Sequence, residues 1–129
     1  MLRRMIYLKK TLVKNFEYIN KVPTNTTINL ETSIKYDSEY NEEQKECLGK
    51  IFLKIGSKEK EESFFLQVEM HGGFDIDAGN EYTPKQINTE TYRLLYPHLQ
   101  AYISAVTALS GVPALNLPSL PILQQENNK

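Results

Sequence analysis

An α+β domain, a four-stranded antiparallel sheet followed by helix, is predicted by three observations. Apolar and polar residues alternate with period two in several stretches of the first 80 residues. The connectors between those stretches are short and polar, as antiparallel hairpins require. After Gly79 the apolar period changes to steps of three and four residues, which marks helix. Strands first and helices after is the α+β order. The 129 residues are enough for one domain and one core, and no internal repeat divides them.

The first strand is expected within Ile6–Ile19, where lysines blur the period. Val22–Thr27, with Pro23, reads as a loose crossover. The second strand is expected over Thr26–Tyr36, with Ile28, Leu30, Thr32, Ile34 and Tyr36 on one face and Asn29, Glu31, Ser33 and Lys35 on the other. Asp37–Glu46 reads as the connector to a third strand, Cys47–Ile55, in which Ile51, Leu53 and Ile55 oppose Lys50, Phe52 and Lys54. Gly56–Glu62 leads to a fourth, Ser63–Met70, with Phe64, Leu66, Val68 and Met70 on its apolar face. Gly72-Gly73 then reads as a bulge or bend. One face of such a sheet packs and the other is wetter.

Thr83-Pro84 has the form of a helix start, Thr83 as N-cap and Pro84 at the first helical position. Leu95, Leu99, Tyr102, Val106 and Leu109 form a helical stripe, with Pro97 either kinking or beginning that helix. Gly111 stands where a C-terminal cap belongs. Pro113, Pro118 and Pro121 make the tail extended rather than helical. A domain over residues 1–123 with a polar, disordered tail over 124–129 is the resulting division.

Composition excludes several function classes. Fifteen basic and sixteen acidic residues leave a net charge of −1, so no bulk positive field exists for nucleic acid. Cys47, the single cysteine, rules out an intrachain disulfide and suits a reducing compartment. No run reaches the length of a membrane span. The N-terminal apolar stretch Met5–Leu8 is cut by Lys9 and Lys10, too soon for a signal peptide, and a cytoplasmic location follows. His71 and His98 belong to no metal-ligand spacing and read as surface or hydrogen-bonded histidines. Cys47 lies on the apolar side of a strand, where a thiol is inert. The sequence holds no catalytic constellation, and neither a metal nor a cofactor is expected.

Charge is unevenly distributed. Residues 1–21 hold six basic side chains and one acidic, while 37–46 hold five acidic and one basic; the acidic run is either a dock for a basic partner or a solvated loop. Ala101, Ser104, Ala105 and Ala108 make a small-residue stripe opposite the large apolar one. It is either a close helix–helix contact with a second subunit or an alanine-rich solvent face. The tail is apolar, with Val112, Leu115, Leu117, Leu120, Ile122 and Leu123. It either straps down onto the domain or borders an apolar groove.

These tail residues carry a family resemblance. Leu95-Tyr96-Pro97, a helix to Gly111, and then Pro113-Ala114-Leu115-Asn116-Leu117 and a further proline resemble SecB, the bacterial protein-export chaperone. Gly72-Gly73-Phe74-Asp75-Ile76 is similar to that family's Gly-x-Phe-x-Ile strand end, and Val13–Tyr18 to its first strand. The likeness runs from about Ile6 to Ile122. It implies a four-stranded antiparallel sheet with a long helix on one side, assembled as a tetramer, a dimer of dimers with the long helices at the dimer–dimer interface. Ala101, Ser104, Ala105 and Ala108 fit that role. It implies ATP-independent holding of unfolded polypeptides or preproteins in apolar grooves, with hand-over to the SecA motor. The groove residues it points to are Val22, Ile28, Leu30, Leu115, Leu117, Leu120 and Ile122. The family's second helix is expected to be short or absent here, since the chain ends soon after Ile122.

A holdase is therefore the leading expectation, with no nucleic acid and no membrane insertion. The alternative is an oligomer of the same fold serving one dedicated partner, in the manner of an antitoxin chaperone or a mobile-element protein. An enzyme and a purely structural assembly protein rank below both.

Overall fold

The computed structural model describes residues 6–21, 29–57, 64–77 and 82–109. Within them lie four strands and one helix: β1 (Ile6–Asn20), β2 (Leu30–Asn41), β3 (Glu46–Ser57), β4 (Phe64–Ile76) and α1 (Pro84–Leu109). The strands form one sheet in the order β1-β4-β3-β2, and every neighbouring pair is antiparallel. The helix lies on one side. The expected α+β architecture is the observed one.

β3 and β4 alternate without interruption because they occupy the middle of the sheet. Cys47, Ile51, Leu53 and Ile55 from β3 meet Phe64, Leu66, Val68, Met70, Phe74 and Ile76 from β4 under the helix, all of them buried. The Gly72-Gly73 pair does not end β4, which continues to Ile76. Gly72 serves close approach instead: a Cβ there would come within 2.8 Å of Leu95 Cδ1. At Gly49 the Tyr36 ring occupies the space of the missing side chain.

β1 explains its own blurred period. Its register against β4 shifts between Leu8 and Lys10 and again between Val13 and Asn15. Each shift inserts one residue, Lys9 and Lys14, and each moves the alternation by one phase. The residues facing the helix are thus Ile6, Leu8, Thr11, Val13, Phe16 and Tyr18, an order that no single period-two template matches.

β2 departs from expectation at its far end. Of its expected start, 26–28 lie outside the described residues; from Leu30 it runs five residues beyond Tyr36, through half of the segment read as a connector. Ser38 and Tyr40 continue the inward phase, while Asp37 and Glu39 point outward to solvent. Outward carboxylates on an edge strand look like a loop in sequence and are solvated in the sheet. The true turn is 42–45, where the Asn41 side chain accepts from Gln44 N at 3.1 Å and Lys45 takes a positive φ of 55°.

The helix starts as expected. Thr83 Oγ1 accepts from Gln86 N at 3.1 Å, and Gln86 Oε1 accepts from Thr83 N at 2.8 Å, a reciprocal capping box. One helix then runs unbroken through Pro97. Proline leaves the Arg93 carbonyl without its intrahelical donor, and both residues are exposed, where water can supply it. The buried stripe is Ile87, Thr91, Tyr92, Leu95, Tyr96, Leu99, Ile103 and Thr107. It is rotated from the expected one, with Tyr102 and Val106 on its flank. Thr107 is buried because its hydroxyl donates to Ile103 O at 2.7 Å. Gly111 and the proline-rich tail lie outside the described residues.

Candidate functional site

The helix is narrower than the sheet. A helix with its side chains is about 10 Å wide, and four strands at about 4.8 Å spacing are broader. It also crosses at a slant. Near its start, Ser38 Oγ of β2 donates to Asn88 Oδ1 at 2.6 Å and Tyr36 donates to Thr91 Oγ1 at 2.6 Å. Midway, Leu95 lies over Gly72 of β4. Farther along, Tyr102 meets Phe16 of β1 edge-on, with ring centroids 5.5 Å apart. Ile6 and Tyr36 are buried, but other covered-side residues of both edge strands are only half-buried: Val13, Phe16 and Tyr18 on β1, and Leu30, Ile34 and Tyr40 on β2.

Two apolar rims result. On the β1 side an aromatic string runs Tyr102–Phe16–Tyr18–Phe64, with Phe16–Tyr18 at 6.3 Å and Tyr18–Phe64 at 5.8 Å. On the β2 side Leu30 and Ile34 stand at the corner away from the helix start, with Thr32 exposed between them. A surface of this kind offers apolar area with few directional groups. Burying such area against another apolar surface is favourable and unspecific in direction.

The reactive groups nearby are closed off. Burial pushes the Cys47 thiol up to about 11, against weaker opposing hydrogen bonds from Ser38 and the Glu39 backbone. Burial likewise pushes the Tyr36 hydroxyl well above its ordinary value. Thr91 relays that hydrogen bond by donating to Ile87 O at 2.7 Å. His71 Nε2 lies 2.6 Å from Glu69 Oε2 on the other face of the sheet, and His98 is exposed on the helix. Among the described residues no group of three or more His, Cys, Asp or Glu is arranged to hold a metal. Among the described residues no helix is long and apolar enough to cross a membrane.

Of the expected groove residues, Leu30 opens β2 and is half-buried on the rim. Val22, Ile28, Leu115, Leu117, Leu120 and Ile122 lie outside the described residues. Ala101, Ala105 and Ala108 are exposed and Ser104 is half-buried, on the outer side of α1 away from the sheet. The rim residues that sequence reading did not single out are Ile34, Phe16, Tyr18 and Tyr102. Ile34 stood on the same expected face as Leu30. The Phe16–Tyr18 spacing of two was a signal, obscured by the inserted Lys14.

No family model matches the chain. An uncharacterized protein of Methanocaldococcus jannaschii is 28% identical over 122 residues, covering 86% of this chain and 76% of that protein. A solved SecB-like chaperone of Mycobacterium tuberculosis, in complex with a ChAD peptide from an antitoxin, matches with a TM-score of 0.72. The match covers 90% of this chain and 91% of that one at 14% identity. The four-stranded antiparallel sheet with one long helix on it is thus a SecB-like fold.

Proposed function

We propose that this chain is an ATP-independent holdase that captures a non-native polypeptide along the apolar rims of its sheet–helix layer. The observation that supports it is the half-exposure of Phe16, Tyr18, Leu30 and Ile34 beside a helix too narrow to cover them, on a SecB-like fold. In this reading Val22, Ile28, Leu115, Leu117, Leu120 and Ile122 extend the same groove. The stripe Ala101, Ser104, Ala105 and Ala108 joins helices of neighbouring copies in a cytoplasmic tetramer. Many weak apolar contacts add up along one bound chain, so capture needs no nucleotide. Tyrosine suits such a rim because it contacts apolar side chains and tolerates water.

A second reading has a specific observation behind it. The SecB-like neighbour holds a peptide from an antitoxin, and a single dedicated polypeptide is the corresponding proposal here. Hand-over to SecA is the finest part of the resemblance.

Fluorescence anisotropy of a labelled, urea-diluted preprotein tests capture, with light scattering for the mass of the complex. Ile34→Asp should weaken capture about tenfold or more, since one buried aliphatic side chain is worth about 1.5–3 kcal/mol and tenfold is 1.4. A folded Ile34→Asp protein that captures clients as tightly as the parent sinks the rim as the site. Refusal of several unfolded clients, with capture of one peptide, selects the dedicated reading.

A further inference from the structure

The two edges of the sheet differ. β1 is blunted: its register against β4 shifts twice, and a lysine, Lys9 or Lys14, stands inserted at each shift. Bulges and edge lysines stop a further strand from pairing. β2 has no bulge and no proline. Its 12 residues keep one register with β3, from Leu30 opposite Ser57 to Asn41 opposite Glu46. Among the described residues no strand pairs with its outer side. Every second residue of such an edge turns its N–H and C=O away from the sheet, where another extended chain can meet them. Thr32, on the helix side between Leu30 and Ile34, is exposed, so the helix leaves this corner of the edge open.

The side chains say which extended chain fits. On the sheet's open face, turned away from the helix, β2 presents Glu31, Ser33, Lys35, Asp37 and Glu39, all exposed. Their β3 partners by register are Gly56, Lys54, Phe52, Lys50 and Leu48. Asp37 thus already has a cation directly across the ladder. Glu31, Lys35 and Glu39 each face an uncharged residue; Lys54, Lys50 and Glu46 reach them only diagonally, from the side away from an incoming strand. The three stand four residues apart, with charges minus, plus, minus. On the helix side the same stretch offers the apolar rim of Leu30 and Ile34.

We propose that β2 takes an extended segment of the bound polypeptide as a fifth strand, in a register set by charge. A basic residue stands opposite Glu31, an acidic one opposite Lys35 and a basic one opposite Glu39, and apolar residues between them turn to the rim. Opposite charges directly across a strand pair stabilise it and like charges oppose it. The pattern is symmetric about Lys35, so a segment running in either direction fits it. Backbone pairing supplies affinity and alternate side chains supply selection. The charges that keep an arbitrary strand off this edge are the ones that admit this strand. The proposal rests on the reading of this chain as a polypeptide binder and adds how the polypeptide is held.

Fluorescence anisotropy of two labelled nine-residue peptides on the full chain tests it. Both have Val at the even positions and Ser at the third and seventh. The first has Lys, Glu and Lys at its first, fifth and ninth positions; the second has Lys, Lys and Glu there, with the same composition and net charge. The parent should bind the first about tenfold more tightly, since two opposite-charge pairs become like-charge pairs in the second. Lys35→Glu with Glu39→Lys changes two exposed residues and leaves the net charge alone. That protein should prefer the second peptide by a similar factor, a reversal that neither misfolding nor bulk charge produces. N-methylation of alternate amides of the first peptide should abolish binding in one phase, facing β2, and spare it in the other. Equal affinity of the parent for both peptides, a preference unmoved in the exchanged protein, or equal effects of the two methylation phases overturns the inference. Binding of neither peptide also overturns it and assigns the edge to this chain's remaining residues or, if the parent sediments above the single-chain mass, to a second copy. Capture of an unfolded preprotein that depends on Ile34 while the two peptides are treated alike leaves the rim reading standing and ends this one; loss of both ends both.

Discussion

The two faces of this one sheet are built from the same strands, and even from the same residue types, with opposite outcomes. In β3 and β4, alternate residues go to the helix side and are buried, among them Ile51, Leu53, Leu66 and Val68, while their sequence neighbours Phe52 and Phe65 go to the other side and are not. On the covered face the polar groups are also closed. Tyr36 donates to Thr91, Thr91 donates to Ile87 O, and Ser38 donates to Asn88. On the open face the contacts of Lys9 with Glu46 and Asp75 are ionic and solvent-exposed. The difference teaches that hydrophobicity alone does not locate the core of a single-layer sheet. What locates it is whether the apolar row has a second element to close it within the chain.

Truncation breaks the comparison most strongly. Leu99 is 0% exposed beneath the sheet, and Leu99→Ala should cost about 2–5 kcal/mol through lost burial and a residual cavity. Leu12→Ala on the open face should change monomer stability by no more than about 0.5 kcal/mol. Urea unfolding of both, at a concentration low enough to keep the chain dissociated, gives the two numbers. Similar costs would mean that the open face is closed within one chain.

Polar substitution is the next largest step. Thr91→Val removes the acceptor of a buried tyrosine hydroxyl and should cost about 1–3 kcal/mol. Tyr36→Phe removes the donor and leaves Thr91 bonded to Ile87 O, so its cost should be smaller, about 1 kcal/mol. Reversed order in the same unfolding assay would show that Tyr36 OH has another partner.

The covered face also sets a pH response. Cys47 is raised from 9.0 to about 11 in the folded chain. Between those values the unfolded thiol loses its proton while the folded one keeps it, so stability is complete below pH 9 and falls as pH rises toward 11. Tyr36, raised by the same burial, adds in the same direction at higher pH. Cys47→Ala should flatten the fall in that window, whatever it does to stability at neutral pH. An unchanged slope would show that the thiol meets solvent.

Much of this contrast was legible in the sequence, and where it was not the reasons are physical. β3 and β4 read cleanly because central strands keep one phase, and the Thr83 cap read cleanly because its chemistry is local. β1 did not, because Lys9 and Lys14 each insert a residue and no fixed template survives two phase changes. The second half of β2 was hidden by Asp37 and Glu39, whose outward carboxylates resemble a loop. The helix stripe was displaced by Thr107, a polar residue buried by bonding its own turn. The rim followed only partly. Leu30 was identified from the family likeness, but Phe16, Tyr18 and Tyr102 come together only through the slant of the helix. Which apolar residues stand on the uncovered face was readable from the alternation in β3 and β4, but that no helix covers them required the fold.

The smallest expected effect tests the ionic side of the comparison. Lys9 sits at the first inserted position of β1, and its Nζ lies 3.2 Å from Glu46 Oε2 and 3.3 Å from Asp75 Oδ1, tying three strands on the open face. Its pKa is raised, first by the hydrogen bond to Glu46 and then by that to Asp75. All three side chains are nonetheless more than two-fifths exposed, and water and salt screen such contacts. Lys9→Ala should therefore lower the melting temperature by no more than about 2 °C at low ionic strength. The difference should vanish in about 0.5 M salt, where the screening length falls below about 5 Å. The Thr91→Val deficit should persist in the same salt, because no mobile ion reaches a hydrogen bond sealed between helix and sheet. If salt erased both deficits alike, the covered face would be as wet as the open one, and the distinction between a face closed by its own chain and one the chain leaves uncovered would collapse.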